Sequence, residues 1–89
     1  MSKPDLNQRT YETIVADLQQ QVSKLVGVPT VGPDDNLFDV GVESLMLVDI
    51  KDSIRDTMGV NLKFSDFFSY YTVSSLAAMI DQRLAEVPA

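Results

Sequence analysis

The 89-residue sequence contains no cysteine and no histidine. Without cysteine, the chain can form no disulfide, no thiolate metal site and no cysteine nucleophile. Without histidine it lacks the commonest general base, and both absences together remove the usual zinc ligands. Carboxylates, lysines, tyrosines and hydroxyls remain. We therefore expect no metal site and no catalytic residue, and self-contained hydrolytic chemistry is disfavoured.

Positive charge is also scarce, since seven Lys and Arg stand against thirteen Asp and Glu for a net charge of −6. Nucleic acids and anionic membranes are bound through clustered Lys and Arg, so we expect neither as a partner. A basic protein is the natural expectation instead. No apolar run approaches the roughly 20 residues of a membrane helix, and residues 1–4 lack the apolar core of a secretory signal. These features predict a cytoplasmic protein.

The length allows one domain, which would bury roughly 60% of its unfolded surface and fold without disulfides or metals. We expect a single domain over residues 1–89, with an ordered core of about residues 5–85, short terminal tails and a monomeric state.

Apolar residues recur every three or four positions in three segments, which is the period of a helix with one buried face. The first helix is predicted to be capped by Asp5, with Gln8 in a weak capping-box position, and to stop at Gly27 and Pro29. The last helix is predicted to be capped by Thr72. The apolar faces of these two helices are Tyr11, Ile14, Leu18, Val22 and Leu25, and Val73, Leu76, Ala77, Ile80 and Leu84.

The middle helix is predicted to run from about Ser44 to Met58 and to be closed by Gly59. Its buried stripe consists of Leu47, Ile50, Ile54 and Met58. A single short helical turn is expected to begin at Phe64 or Ser65, and no segment has the alternating pattern of a strand. The fold class predicted is all-α, a small bundle of three main helices plus one short helix.

Residues 28–43 contain Pro29, Gly32, Pro33 and Gly41 and show no helical period, which predicts a long loop. Leu37 and Phe38 are expected to pin this loop onto the helices. Its acidic residues do not form a calcium loop. If Gly41 takes the glycine position of an EF-hand, Leu47 falls where the bidentate glutamate is required.

The segment Gly41-Val42-Glu43-Ser44-Leu45 resembles the acyl carrier proteins and the related carrier domains of polyketide and nonribosomal peptide synthesis. The signature of that family is a serine, preceded by an acidic residue and followed by Leu, at the start of the second helix. The resemblance covers roughly residues 10–85. Residues 35–41 are similar to the family's loop approach, and residues 67–77 to its junction between the third and fourth helices.

The resemblance implies that a phosphopantetheinyl transferase attaches 4′-phosphopantetheine from coenzyme A to Ser44, and that the thiol of this arm holds acyl groups as thioesters. It also implies a non-catalytic carrier, served by acyl-loading and condensing enzymes with basic docking surfaces. Ser44 has no His or Lys in its motif to activate it, so the transferase must supply the base and the metal. A plain N-cap is the alternative interpretation of Ser44, and it is compatible with attachment.

Two positions depart from the family pattern. Glu43 replaces the more usual Asp and adds one methylene to the carboxylate, which in the family helps the transferase and its magnesium engage the serine, so the preferred transferase stays open. Tyr71 stands where polyketide-type carriers commonly have proline, and without the fixed φ of proline we expect a less rigid junction before Thr72.

Residues 34–56 hold seven acids and two bases, so −5 of the net charge of −6 falls in this segment. Asp49, Asp52 and Asp56 share the outward face of the middle helix with the apolar Leu45. Either this face is ordinary solvated surface, or it recognises basic partner enzymes. The residues predicted for partner recognition are Glu43, Leu45, Met46, Val48, Asp49, Asp52 and Asp56.

The aromatic stretch after the middle helix has two interpretations. Phe67, Phe68 and Tyr70 could line a cleft for the arm or its acyl chain. The alternative is that Phe67 and Phe68 pack into the core beneath the short helix.

Three functions compete. The residue run 67–73 favours a polyketide or hybrid carrier over a peptidyl carrier, and Met46 and Leu47 disfavour a fatty-acid carrier, which more often has an acidic residue there. An acidic helical interaction module that is never modified is the alternative from another class. An enzyme ranks last.

Overall fold

The computed structural model describes residues 10–86 of the chain. They form four helices in the order α1 (Tyr11–Val26), α2 (Ser44–Met58), α3 (Phe64–Ser69) and α4 (Val73–Glu86). Within this range there is no strand, and extended pairing is limited to one isolated antiparallel bridge between Asn36 and Thr72. The predicted all-α bundle of three main helices and one short helix is confirmed.

Thr10 is the N-cap of α1, and its hydroxyl accepts a hydrogen bond from the backbone N–H of Thr13 at 3.2 Å. The helix therefore begins later than a cap at Asp5 predicts. Asp5 and Gln8 themselves lie outside the described residues, as do the first residues of the expected ordered core and residues 87–89 of the C-terminal tail.

The apolar face of α1 is confirmed in its centre and wrong at its first residue. Ile14, Leu18 and Val22 are fully buried, whereas Tyr11 is 37% exposed. Side chains on a helix tilt toward its N-terminus, so the first residue points away from the elements that cover the rest of this face. Leu25 is partly buried against the core.

α2 has the bounds that its sequence predicts. Its four stripe residues are buried, namely Leu47, Ile50, Ile54 and Met58. Gly59 ends the helix with a φ of 73°, in the left-handed region that favours glycine, and donates its N–H to the carbonyl of Arg55. None of the helices within residues 10–86 combines the length and the apolarity needed to cross a membrane.

The loop between α1 and α2 is docked, as predicted. Leu37 is fully buried, together with Val31 and Val42 of the same loop. Polar contacts hold its backbone as well: the Gln19 amide donates to the carbonyl of Val31 at 2.7 Å, and the N–H of Leu37 donates to the carbonyl of Tyr71 at 2.8 Å. The loop is therefore part of the folded body.

α4 begins after Thr72, whose hydroxyl accepts the N–H of Ser75 at 3.1 Å, so the predicted cap is confirmed. α4 packs mainly against α1. Its buried residues are Val73, Leu76, Ala77, Met79 and Ile80.

The short helix α3 buries one aromatic side chain, Phe67, which is fully inaccessible. Its neighbour Phe68 is 61% exposed, so the interpretation of Phe68 as a core residue is wrong. Adjacent residues on a helix are about 100° apart, and a single turn packed on one side can bury just one of them.

A carboxylate at the start of α3 joins it to α4. Asp66 accepts the N–H of Lys63 at 2.8 Å and pairs with the guanidinium of Arg83 at 3.2 Å. Burial raises the pKa of the Asp66 carboxyl, but the Lys63 N–H and the Arg83 charge outweigh burial by stabilising the ionised form. The pKa of Asp66 therefore lies below its ordinary value.

Replacing the buried loop leucine tests whether docking of the loop stabilises the fold. Leu37→Ala should lower the free energy of unfolding by about 2–5 kcal/mol, because it leaves a cavity at a fully buried site. Leu45→Ala is the matched control: Leu45 is 84% exposed, and its removal should change stability by less than about 0.5 kcal/mol. Urea unfolding measures both, and equal losses would contradict a docked loop.

Asp66→Asn tests the link between α3 and α4. At neutral pH we expect it to lower the free energy of unfolding by about 1 kcal/mol, because the amide keeps one acceptor oxygen but loses the charge-assisted pair with Arg83. A carboxyl whose pKa is lowered by folding stabilises the protein at pH values above its ordinary pKa. This stabilisation disappears as the pH falls from the ordinary pKa through the folded-state pKa.

The difference between Asp66→Asn and the unaltered chain should therefore shrink below about pH 4. Asp49→Asn, at an exposed position without an ion pair among residues 10–86, serves as the control and should have little effect at either pH. A difference that stays constant with pH would show that the Asp66 charge is not involved.

Candidate functional site

Ser44 is the first helical residue of α2, and its side chain is exposed. The N-cap position belongs to Glu43, whose backbone is extended and whose carboxylate makes no capping hydrogen bond. The interpretation of Ser44 as an N-cap is therefore wrong, because the serine lies one position too far along the chain. Its hydroxyl is consequently available to react.

The N-terminus of α2 is left open. There is no side-chain cap and no acidic residue in the first turn. The N–H groups of Met46 and Leu47 both donate to the carbonyl of Glu43, at 2.9 and 3.3 Å. The N–H groups of Ser44 and Leu45 precede these bonds and have no acceptor among the described side chains. An anion attached at Ser44 would meet them together with the positive end of the helix dipole.

The approach to Ser44 turns at Gly41, whose φ of 116° lies in a region that side-chain-bearing residues rarely adopt. Val42 follows and is buried, and its N–H donates to the carbonyl of Leu37 at 3.1 Å. Leu47 is buried on the other side, one turn into α2. Ser44 is thus displayed between two anchored positions.

Ser44 lies in an open depression of about 670 Å³. The lining residues are Phe38, Val42, Glu43, Ser44, Leu45, Met46 and Phe68. One wall is an aromatic pair: the rings of Phe38 and Phe68 stack with centroids 5.3 Å apart and planes 6° from parallel. The wall therefore combines one residue from the loop with one from α3.

The predicted cleft residues are separated by the structure. Phe68 lines the depression, Phe67 is buried in the core, and Tyr70 is exposed at the end of α3 without lining it. Phe67 cannot contact an arm at the surface because no part of it is accessible. Phe38 is a wall residue that the sequence indicated as a loop anchor.

The partner-recognition residues predicted from the sequence lie at the start of α2 and along its exposed surface. Glu43, Leu45 and Met46 line the depression with Ser44. Val48 and Asp49 follow on the exposed surface, and Leu45 is 84% exposed.

The remaining acids of α2 are partly neutralised. Asp52 and Asp56 contact the side chain of Arg55 at 3.5 and 3.4 Å. All three side chains are substantially exposed, so these ion pairs contribute little to stability. Arg55 therefore offsets part of the negative charge that Asp52 and Asp56 bring to this face.

The site has an acceptor hydroxyl but no machinery to activate it. No described residue forms a hydrogen bond with the Ser44 side chain, and the ionisable residue that precedes it, Glu43, lies on the same exposed edge. Among residues 10–86 no group of three carboxylates is placed to hold a metal ion. The arrangement suits a serine that is modified by another protein.

Comparison with known proteins identifies the family to which the chain belongs. Residues 16–80 match the family model described as "Phosphopantetheine attachment site". The chain is 39% identical over 70 residues to the dimodular nonribosomal peptide synthase of Bacillus subtilis (strain 168), a match that covers 79% of this chain and 3% of that protein. It is 27% identical over 81 residues to the conidial pigment polyketide synthase alb1 of Aspergillus fumigatus, covering 91% and 4%.

The chain thus spans a few per cent of the length of these synthases. Among solved structures, it superposes with a TM-score of 0.78 on the HMG-ACPI domain from the CurA module of Lyngbya majuscula, at 26% identity over 96% of this chain and 88% of that one. A family match over most of the chain, a carrier-like helical bundle and an exposed serine at a helix start agree with one another. The chain belongs to the phosphopantetheine attachment-site family of carrier domains.

Proposed function

We propose that Ser44 is the residue that carries 4′-phosphopantetheine, and that the chain is an acyl carrier of polyketide or hybrid type. A phosphopantetheinyl transferase modifies it, and acyl-loading and condensing enzymes with basic surfaces then meet it. In this proposal the protein is a cytoplasmic monomer. The observation that carries the proposal is the exposed Ser44 hydroxyl at the open N-terminus of a 15-residue helix.

The residues around Ser44 fit a phosphodiester. The free N–H groups of Ser44 and Leu45 and the helix dipole favour a negative charge at this point by about 0.3–1 kcal/mol. When bound, the group supplies a thiol that holds acyl chains as thioesters. Glu43 faces outward with no capping bond, which leaves its carboxylate available to the transferase and its metal.

The depression beside Ser44 supports contact with partners. Leu45 exposes an apolar side chain next to the hydroxyl, and the acids of α2 lie further along the same helix. Apolar groups at the centre of an interface contribute affinity, whereas charges at its rim mainly raise the association rate. We infer that Leu45 and Met46 contact the partner directly, while Asp49, Asp52 and Asp56 steer it.

A peptidyl carrier is the second candidate. The 39% identity to a nonribosomal peptide synthase favours it, while the run of residues 67–73 and the solved carrier from the CurA module favour the acyl carrier. Both share the same attachment chemistry and differ in what the thioester holds. Isolation of the loaded thioester from producing cells separates them, because an amino acid on the arm identifies a peptidyl carrier.

Intact-protein mass spectrometry tests the attachment site. Incubation with coenzyme A, magnesium and a broad-specificity transferase should add the mass of one phosphopantetheine, and Ser44→Ala should abolish this addition completely. Ser65→Ala is the matched control, since Ser65 is an exposed serine in the first turn of α3, and it should be modified normally. No addition with several transferases would favour an unmodified interaction module, and addition to Ser44→Ala would place the arm elsewhere.

Charge reversal tests the acidic face. A triple variant with Lys at Asp49, Asp52 and Asp56 should raise the KM of the transferase about tenfold at low salt, and the effect should fade above about 0.5 M salt. The control places Lys at Glu12, Asp81 and Glu86. It changes the net charge of the chain by the same amount, but on α1 and α4 and not on α2. Equal effects of the two triple variants would return the face of α2 to ordinary surface.

A further inference from the structure

α3 is too short to be stable alone. It has six residues, and an isolated helix of this length does not persist in water because the first turn costs more entropy than its hydrogen bonds return. Its single fully buried side chain is Phe67. Packing of one ring restrains the position of the helix but leaves rotation about that anchor open. Other contacts must set its orientation.

Arg83 of α4 makes such contacts. Its Nη2 donates to Oδ1 of Asp66 at 3.2 Å, and its Nη1 donates to Oδ2 of Asp66 and to the carbonyl of Asn61, each at 3.3 Å. The Asp66 side chain is 13% exposed and also accepts the Lys63 N–H. A planar guanidinium bound by both carboxylate oxygens fixes orientation as well as distance. Arg83 therefore joins the first turn of α3, and the segment before it, to α4.

The opposite end of α3 carries a wall of the depression. Phe68 is largely exposed, and the ring with which it stacks is that of Phe38 in the loop. A ring with this exposure gains little from the core, so its position follows the backbone of α3. The loop side is fixed by the buried Leu37, whose N–H also donates to the carbonyl of Tyr71, two residues beyond the end of α3. The fit of the two rings then depends on how α3 is held.

We propose that Arg83 is a positioning residue for the site at Ser44: by clamping the first turn of α3 to α4, it holds Phe68 against Phe38 as the outer wall of the depression. Arg83 lines no part of that depression itself. It acts through α3. The relevance of this wall to attachment rests on the proposed function, whereas the clamp and its effect on the two rings do not.

Arg83→Met tests the clamp, because methionine keeps an apolar stem and removes the guanidinium. In the unmodified chain, NMR should show loss of the contacts between the Phe38 and Phe68 rings. Amide exchange at Phe67 to Tyr70 should become about tenfold faster, as expected when a charge-assisted hydrogen-bonded pair is lost at a partly exposed position. Exchange in the centres of α1 and α2 should not change.

Two further variants separate positioning from general stability. Arg83→Lys keeps the positive charge but cannot donate to both Asp66 oxygens in the planar geometry of a guanidinium. It should retain part of the contact between the Phe38 and Phe68 rings. Gln82→Met alters the neighbouring exposed position of α4, whose side chain bonds to Glu86 at 3.4 Å, and should behave as the unaltered chain. Circular dichroism confirms that each variant is folded before it is compared.

The loading reaction supplies the second readout. Arg83→Met should raise the KM of the transferase for the carrier about threefold and leave kcat unchanged, since the serine and its helix are intact and recognition alone is altered. If even the unaltered chain is not loaded, the proposed function fails, and the ring contacts still decide the role of Arg83. Unchanged ring contacts in Arg83→Met, or faster exchange in all four helices equally, would overturn the proposal.

Discussion

An exposed serine between two buried apolar residues is the constraint on which the site depends. Val42 and Leu47 are each almost fully buried, and they hold the turn before α2 and its first turn against the core. Ser44 lies between them in the chain, and its side chain is exposed to solvent. The first of these residues, Val42, belongs to a loop whose backbone is hydrogen-bonded to Gln19 of α1 and to Tyr71 just before α4. The Ser44 hydroxyl is therefore positioned by the burial of its apolar neighbours, with no hydrogen bond of its own side chain among residues 10–86.

The N-terminus of α2 has no side-chain cap, unlike the N-termini of α1 and α4. Thr10 and Thr72 cap their helices with hydroxyls, as stability alone would favour. Glu43 leaves the corresponding groups of α2 unbonded although its carboxylate could accept them. Such a helix start lacks roughly 1 kcal/mol of capping stability and leaves its N–H donors accessible. The difference between the three helices lies at Ser44, the residue that we propose carries the modification.

Sequence periodicity predicted most of the bundle because long amphipathic helices repeat their apolar residues over several turns. The stripe from Leu47 to Met58 and the bounds of α2 are examples. A six-residue helix has no period to read, and composition alone could not separate Phe67 in the core from Phe68 at the surface. The stack of Phe38 on Phe68 and the reach of Arg83 to Asp66 join distant parts of the chain. Such pairs leave no local signal, so the wall of the site was found from the structure.

The bridge between Asn36 and Thr72 has a consequence for how the molecule is made. The loop that presents Ser44 takes its hydrogen-bond acceptor from Tyr71, and α3 takes its clamp from Arg83 near the end of the chain. A polypeptide still emerging from the ribosome contains the serine long before it contains either partner. Because contacts between distant segments form after local ones, the surface around the serine is completed last. The surface around Ser44 is thus complete only once α4 has been synthesised and has packed.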